Sequence, residues 1–243
     1  MKLHLFYDLF DKVQNLEDPL KADGLFAAAK EIYGVTHVLY AKMDGPVHTH
    51  QSCFIQGTYS DKWLNHYFAH DFLSIDPVAV HGQKALRPFD WSDLPKDSKK
   101  VKRVFNDSID FGFGTQGLSI PIVNLHGERA LFNINAEASD REWKAQKPRL
   151  MRDFHIISHF LHHAIVEKMS FDAGPSHDIL SDRELESLKW AASGKSAWET
   201  SVILSVSERT VRFHLDQARR KLSCTSKIQA VAKAVATGLI NIS

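Results

Sequence analysis

The chain has 243 residues, a formal net charge of +1 and 44% apolar residues, which suits two domains with a core in each. It holds no apolar run long enough to span a bilayer, and its N-terminus, MKLHLFYDLFDKV, carries Asp8 and Asp11, unlike a signal peptide. The two cysteines, Cys53 and Cys224, fall in different predicted domains, which argues for reduced thiols in a cytoplasmic protein.

In chain order the pattern predicts helices over about 2–13 and 18–33, apolar strands over 35–42 and 51–57, and a helix from Ser60 to His70. A loop to Trp91 follows, then a helix near 96–111, strands over 117–124 and 129–136, and a long helix over about 140–168. This order implies an α+β domain, an α-β-α sandwich whose antiparallel sheet lies between helices. On the Ser60 helix, Trp63 and Tyr67 stand at i and i+4 and share a face. Each offers an apolar body and one hydrogen bond. Asp76, held extended by Pro77, follows an apolar run, so it either faces solvent or is buried with a partner. Such residues are most often ordinary core and turn, so their pattern alone assigns no ligand.

The long helix carries Leu150, Phe154, Ile157, Leu161, Ala164 and Lys168 at heptad-like spacing, and His155, His159 and His163 recur every fourth residue beside them. With His48 and His50 they raise the question of a metal. Without a carboxylate at fixed spacing or a cysteine, no metal site is expected. The histidines instead are expected to rim a packing or dimer surface. From Ser170 to His177, Gly174-Pro175 and small polar residues mark a linker. The expected domains are 1–169 and 178–243, joined by 170–177.

Beyond the linker, Ser181 and Glu184 have capping-box spacing ahead of a helix that Gly194 stops. A short pattern from about 196 to 204, apolar at Val202, Ile203 and Leu204, is followed by a tight turn and by Ser207 as cap of a helix over about 208–222. Two helices so joined are a helix-turn-helix. Val211, Leu215, Ala218 and Leu222 form the inward stripe of the last helix. From Ser205 onward there are seven Lys/Arg against two acidic residues, whereas the chain before residue 176 has twenty against twenty-two. The phosphate-binding charge therefore belongs to the C-terminal domain.

Glu184, Leu188, Gly194, then Ser207, Thr210, Val211 and His214, then Lys221-Leu222, closely resemble the all-α DNA-binding domain of LuxR-type regulators. Upstream, Trp63, Tyr67, Asp76, Pro77, Trp91 and Gly117 stand at the six hallmark positions of the autoinducer-binding domain of the same family. The resemblance thus covers nearly the whole chain. It implies a homodimeric transcription factor that binds an N-acyl-homoserine lactone and operator DNA, meeting RNA polymerase if it is an activator. On that template Trp63 donates to the lactone carbonyl, Asp76 accepts from the ligand amide N–H, and Tyr59 donates to the first acyl carbonyl. Tyr67 and Trp91 wall the head group, with Phe54, Val78, Phe105 and Leu118 as further wall candidates. Asn135 falls near a position that touches the third acyl carbon, which leaves the substituent there open. Asp76 is expected to be poorly satisfied when the pocket is empty. In the DNA-binding domain, Arg212 and position 216 form the base-reading pair, and Asp216 departs from the basic or amide residue frequent in relatives, which suggests a shifted operator. Thr210, Lys195 and Lys221 are assigned to phosphates.

Other classes find less support. A phosphorylated receiver needs an acceptor Asp at a strand end near residue 55, where the sequence is Ser52-Cys53-Phe54-Ile55-Gln56-Gly57. A lactonase needs a His-x-His-x-Asp-His or Gly-x-Ser-x-Gly motif, and neither occurs. A regulator of the same family that works unliganded, or on another small molecule, stays open as the alternative.

Overall fold

A computed structural model describes residues 2–43, 53–124, 129–172 and 180–240. They divide into two compact units, with the cut after Met169.

The first unit contains α1 (Lys2–Gln14), α2 (Asp23–Tyr33), β1 (His37–Met43), β2 (Cys53–Gly57), α3 (Asp61–Ala69), α4 (Pro77–Gly82), β3 (Phe89–Asp90), α5 (Lys99–Asp110), β4 (Gln116–Val123), β5 (Arg129–Ala136) and α6 (Asp140–Asp172). The strands form one antiparallel sheet in the order β2-β1-β5-β4-β3. Because side chains alternate along a strand, the register sorts the sheet into two faces. Val38 and Tyr40 of β1 stand opposite Ile134 and Phe132 of β5, which in turn face Leu118 and Ile120 of β4. These side chains pack against Leu9 of α1, Phe26 of α2, and Leu150, Phe154, Ile157 and Leu161 of α6, all essentially inaccessible to solvent. The heptad-like stripe of α6 therefore serves the internal core of this unit. The alternate residues, among them Leu39, Ala41, Leu131 and Asn133, face a cavity covered by α3, α4 and α5.

Three short elements lie inside what the sequence suggests is a loop before Trp91: a 3₁₀ turn over Phe72–Ser74, α4 and β3. α4 has only six residues, too few for a readable period, and starts because Asp76 caps it and Pro77 presets its first turn. The two-residue β3 pairs Phe89 with Ser119 and Asp90 with Leu118. α6 continues to Asp172, through the first three residues of the expected linker. The rest of the linker up to His177 lies outside the described residues, as do His48 and His50.

The second unit is helical: α7 (Asp182–Ala192), α8 (Ala197–Leu204), α9 (Glu208–Lys221) and α10 (Lys227–Ala236). Ser181 and Glu184 make the capping box expected of them, and Ser196 with Glu199 makes a second one. Gly194 has φ +82°, a left-handed backbone that ends the α7 turn without strain. Leu188, Val211, Leu215, Ala218 and Leu222 pack with Ala230 and Ala234 of α10, an element the sequence reading omits. Val202 and Ile203 do not join this core; both are exposed. α8 turns its Thr200 and Ser201 inward instead, each hydroxyl satisfied by a backbone carbonyl of the same helix.

One buried carboxylate ties β3 to α6. Asp90 accepts from the Trp143 indole N–H at 2.8 Å, from the Lys147 ammonium at 2.6 Å and from the Ser92 backbone N–H at 2.8 Å. Burial alone would raise its pKa, but the Lys147, Ser92 and Trp143 bonds outweigh that and hold it below the usual carboxylate range. A depressed carboxylate contributes stability that is present above the unfolded-chain pKa of about 4 and is lost as pH falls through the folded value. Asp90→Ala should therefore cost about 2 to 4 kcal/mol at pH 7, since it leaves a buried indole N–H unmet and breaks an ion pair. The exposed Asp93→Ala should change stability by less than about 0.5 kcal/mol. Urea denaturation at pH 7 checks both, and the Asp90 variant should lose less than the parent when the titration is repeated below pH 4.

Candidate functional site

The cavity between the sheet and its cover has a volume of about 100 Å³. Its cover begins at Ser60, whose hydroxyl caps α3 by accepting from the Trp63 N–H. The 3.6-residue period then turns Trp63 and Tyr67 toward the cavity together, with Leu64 beside them. Asp76 sits at the N-cap of α4. One carboxylate oxygen accepts from the Val78 N–H at 2.9 Å, and the other accepts from the Tyr67 hydroxyl at 2.8 Å. Both Asp76 carboxylate oxygens are thus partnered within the chain, contrary to the expectation that the chain by itself leaves this carboxylate poorly satisfied. Burial still dominates. It raises the Asp76 pKa above the ordinary value, despite the opposing Tyr67, Val78 and Ala79 bonds. Burial and the neighbouring Asp76 charge likewise push both the Tyr59 and Tyr67 phenols up, so both are neutral donors.

Tyr59 and Trp63 also line the cavity, and among the described residues neither the Tyr59 hydroxyl nor the Trp63 indole N–H has a hydrogen-bond partner. Trp91 closes another side. Its indole lies against Gly117, where a Cβ would come within 2.0 Å of a ring carbon, so glycine is required there. The Trp91 N–H donates to Ser119 Oγ at 2.8 Å, and Ser119 Oγ donates to Asn133 Oδ1 at 2.6 Å.

Tyr59, Trp63, Tyr67, Asp76 and Trp91 are brought together in this one cavity, with Val78 and Phe105. Asn135 is not among them. Its fully buried amide donates to the Gly114 and Gln116 carbonyls and accepts from the Gly114 N–H, so it fastens the turn before β4. Asn133, two residues earlier on the same face of β5, lines the cavity instead. Phe54 and Leu118 face the opposite side of the sheet and belong to the main core, because each is one residue out of phase with the cavity-facing Cys53, Ile55 and Ser119.

In the second unit, Ser207 caps α9 by accepting from the Thr210 N–H, and its hydroxyl lies 2.8 Å from that of Thr210. Arg209, Arg212, Phe213 and Arg220 stand exposed on the outer face of α9; the His214 ring lies beside Phe213, 5.7 Å between centroids. Arg212 pairs with Glu208 at 2.6 Å and Lys195 with Glu199 at 3.5 Å, both exposed pairs one helical turn apart that open at little cost. Asp216 is gripped by Arg219 at 2.7 Å and Arg220 at 2.9 Å, and the Arg219 bond heads the causes that depress its pKa. Its charge is thereby neutralised locally rather than left to repel phosphates. Lys221 is committed to Glu184 at 2.8 Å, where the carboxylate is buried and also accepts from the Ser181 N–H. This ties α9 to α7. Among the described residues no group of three or more His, Cys, Asp or Glu is placed to hold a metal ion.

Residues 23–165 match the family model of the autoinducer binding domain, and residues 178–234 match that of the bacterial regulatory proteins of the luxR family. The chain is 36% identical over 183 residues to the HTH-type quorum sensing-dependent transcriptional regulator RpaR of Rhodopseudomonas palustris, covering 74% of this chain and 72% of that one. It is 32% identical over 237 residues to the transcriptional activator protein SolR of Ralstonia solanacearum, covering 97% and 98%. The crystal structure of Escherichia coli SdiA shares the fold, with a TM-score of 0.72 at 20% identity over 98% of this chain and 99% of that one.

Lys221→Ala should destabilise the second unit by about 1 to 3 kcal/mol, because the buried Glu184 loses its cation. Arg212→Ala and Lys195→Ala should cost less than about 1 kcal/mol. Thermal melts of the three variants check this ordering.

Proposed function

The chain belongs to the LuxR family of transcriptional regulators that join an autoinducer-binding domain to a helix-turn-helix, and on that footing we propose that its signal is an N-acyl-homoserine lactone. One observation carries the reading: an apolar cavity presents two donors without partners among the described residues, the Tyr59 hydroxyl and Trp63 indole N–H, beside a buried carboxylate, Asp76. An acyl-homoserine lactone offers the complement, two carbonyl oxygens and one amide N–H on an apolar tail. Trp63 is then the donor to the lactone carbonyl, Tyr59 the donor to the acyl carbonyl, and Asp76 the acceptor for the amide, with Tyr67 holding the carboxylate and Trp91 walling the head group.

Residues 1–169 serve as the signal-binding domain, 170–177 as the linker and 178–243 as the DNA-binding domain. The regulator works as a homodimer in the cytoplasm, where its operator DNA is, and meets RNA polymerase there if it activates. On α9, Arg212 reads a base edge and Asp216 positions Arg219 and Arg220. Lys195, Ser207 and Thr210 meet phosphates at the start of the motif, and His214 supports the exposed face; Lys221 has a structural part through Glu184. A second reading, a regulator of this family that works unliganded or on another small molecule, is favoured by one fact: both Asp76 carboxylate oxygens have partners within the chain.

The two readings part on a melt of the full chain with a panel of acyl-homoserine lactones. A ligand that binds only the folded state adds about 2.7 kcal/mol at a hundredfold excess over Kd. An upward shift, abolished by Trp63→Ala, is expected; no shift across short and long chains contradicts the lactone reading.

Asp76→Asn is the sharper substitution, because the amide oxygen can still cap α4. Since burial raises the Asp76 pKa, ionisation subtracts from stability as pH rises above the unfolded-chain value of about 4 and through the folded one. The unliganded Asn variant should therefore melt no lower than the parent at pH 7. Its ligand response should nevertheless weaken by about 1.5 to 3 kcal/mol, as a charge-assisted bond is lost. Overlapping dose–response curves would remove Asp76 from the ligand site.

For DNA, footprinting should reveal a roughly two-fold symmetric site with half-sites about one helical turn apart. Arg212→Ala should lose about 1 to 3 kcal/mol of discrimination at one base per half-site, while Lys195→Ala should weaken all sequences alike. Equal loss on operator and random DNA for Arg212→Ala would make it a phosphate contact.

A further inference from the structure

Two helices of the cavity cover meet along a seam, and one side-chain pair spans it. α3 faces the cavity with Trp63, Leu64 and Tyr67, and α5 faces it with Val104, Phe105 and Ser108. Outside the cavity, His66 Nε2 of α3 stands 2.8 Å from Asp107 Oδ2 of α5. A carboxylate only accepts, so Nε2 carries the proton and donates. These two side chains are 25% and 22% exposed, whereas Trp63 is 4% exposed. The His66 ring stacks on the Trp63 indole, 5.9 Å between centroids and 25° between planes. Along this seam Trp63 is therefore the layer between the bonded pair and the cavity.

The other contacts here are between rings. Phe111, at the end of α5, lies 5.3 Å from Trp63 and 5.1 Å from His66 between centroids. Such contacts tolerate sliding, whereas the His66–Asp107 bond fixes one distance between the helices. Asp107 also has a second cation within reach. Arg103, one turn earlier on α5, is exposed and stands 3.6 Å from the same carboxylate oxygen. If His66 lets go, the carboxylate keeps a partner on its own helix, and the imidazole stays partly in water beside the His70 ring, 4.2 Å away between centroids. Opening the seam thus breaks a partly exposed bond and strands no buried charge, which makes it cheap. The floor of the cavity is different, since the sheet there is backed by the core against α1, α2 and α6.

Building on the reading of this cavity as the signal site, we infer that the seam between α3 and α5 is the door of the cavity, and that the His66–Asp107 bond is its latch and positions Trp63 when closed. Neither His66 nor Asp107 lines the cavity. The bond therefore weighs equally on the free and the occupied chain, and it sets the rate of ligand exchange without setting the affinity.

The test is stopped-flow tryptophan fluorescence of the full chain with N-hexanoyl-, N-octanoyl- and N-dodecanoyl-homoserine lactone, since Trp63 and Trp91 line the cavity. Asp107→Leu removes the acceptor, and His66→Phe removes the donor while keeping a ring over Trp63. Each should raise the association and dissociation rate constants together, by about two- to tenfold, and leave Kd nearly unchanged. The double variant should be no faster than the faster single one, because both substitutions remove the same bond. Asp107→Asn keeps an acceptor oxygen and should stay near the parent. Amide hydrogen exchange of the full chain needs no lactone: α3 and α5 should exchange faster in Asp107→Leu, and α6 should not. A rise in dissociation alone, unchanged rates in both single variants, additive effects in the double variant, or unaltered exchange in α3 and α5 overturns the latch. If the parent binds none of the three lactones, the lactone reading fails, and the exchange measurement decides the latch by itself.

Discussion

A carboxylate buried in an apolar cavity is tolerated only if its lone pairs are met, and the ligand-binding unit is arranged around meeting those of Asp76. The same side chain starts α4 through the Val78 N–H and holds Tyr67 through its hydroxyl, so two covering segments converge on one acidic group. This explains why Tyr67 and Asp76-Pro77 belong together. Proline presets the first turn of α4, the cap fixes the carboxylate, and Tyr67 at the far end of α3 reaches it. The acceptor of the cavity is consequently held by hydrogen bonds from within the chain, and the donors on Tyr59 and Trp63 are left over.

The sheet supplies the other half of the design. Its period of two gives one face to the core with α1, α2 and α6 and the other to the cavity, so both faces are buried and a slip of one residue would exchange them. Gly117 admits the Trp91 indole, Ser119 takes its N–H, and Asn133 is oriented in turn. Immediately before Trp91, Asp90 is anchored to Trp143 and Lys147 of α6. The pocket wall and the longest described helix are therefore joined by an ion pair and a hydrogen bond to one buried carboxylate.

Much of this is legible in the sequence because the relevant signals are local. Ser60, Ser181 and Ser207 announce helix starts, the alternating strands announce a sheet, and Trp63, Tyr67, Asp76 and Trp91 carry the family pattern. The remainder depends on contacts between residues far apart in sequence. Asn133 and Asn135 share one face of β5 and are indistinguishable by pattern; only the turn at Gly114 consumes the second and leaves the first for the cavity. Phe54 and Leu118 are apolar strand residues whose face depends on register. Lys221 looks like a phosphate contact until Glu184, 37 positions away, is seen to hold it. Val202 and Ile203 read as core by composition, yet α8 buries Thr200 and Ser201, whose hydroxyls bond within their own helix. Ser119 gives no signal as a sequence, since its part is to pass a hydrogen bond from one side chain to another.

The central claim is that Tyr59, Trp63 and Asp76 form one recognition site for a homoserine lactone head group, and a crystal structure of the full chain bound to an acyl-homoserine lactone tests it most directly. The account predicts the ligand amide nitrogen within about 3 Å of the Asp76 carboxylate, the lactone carbonyl at the Trp63 indole nitrogen and the acyl carbonyl at the Tyr59 hydroxyl. A lactone seated outside this cavity, or inside it with its head group away from Asp76, would contradict the account.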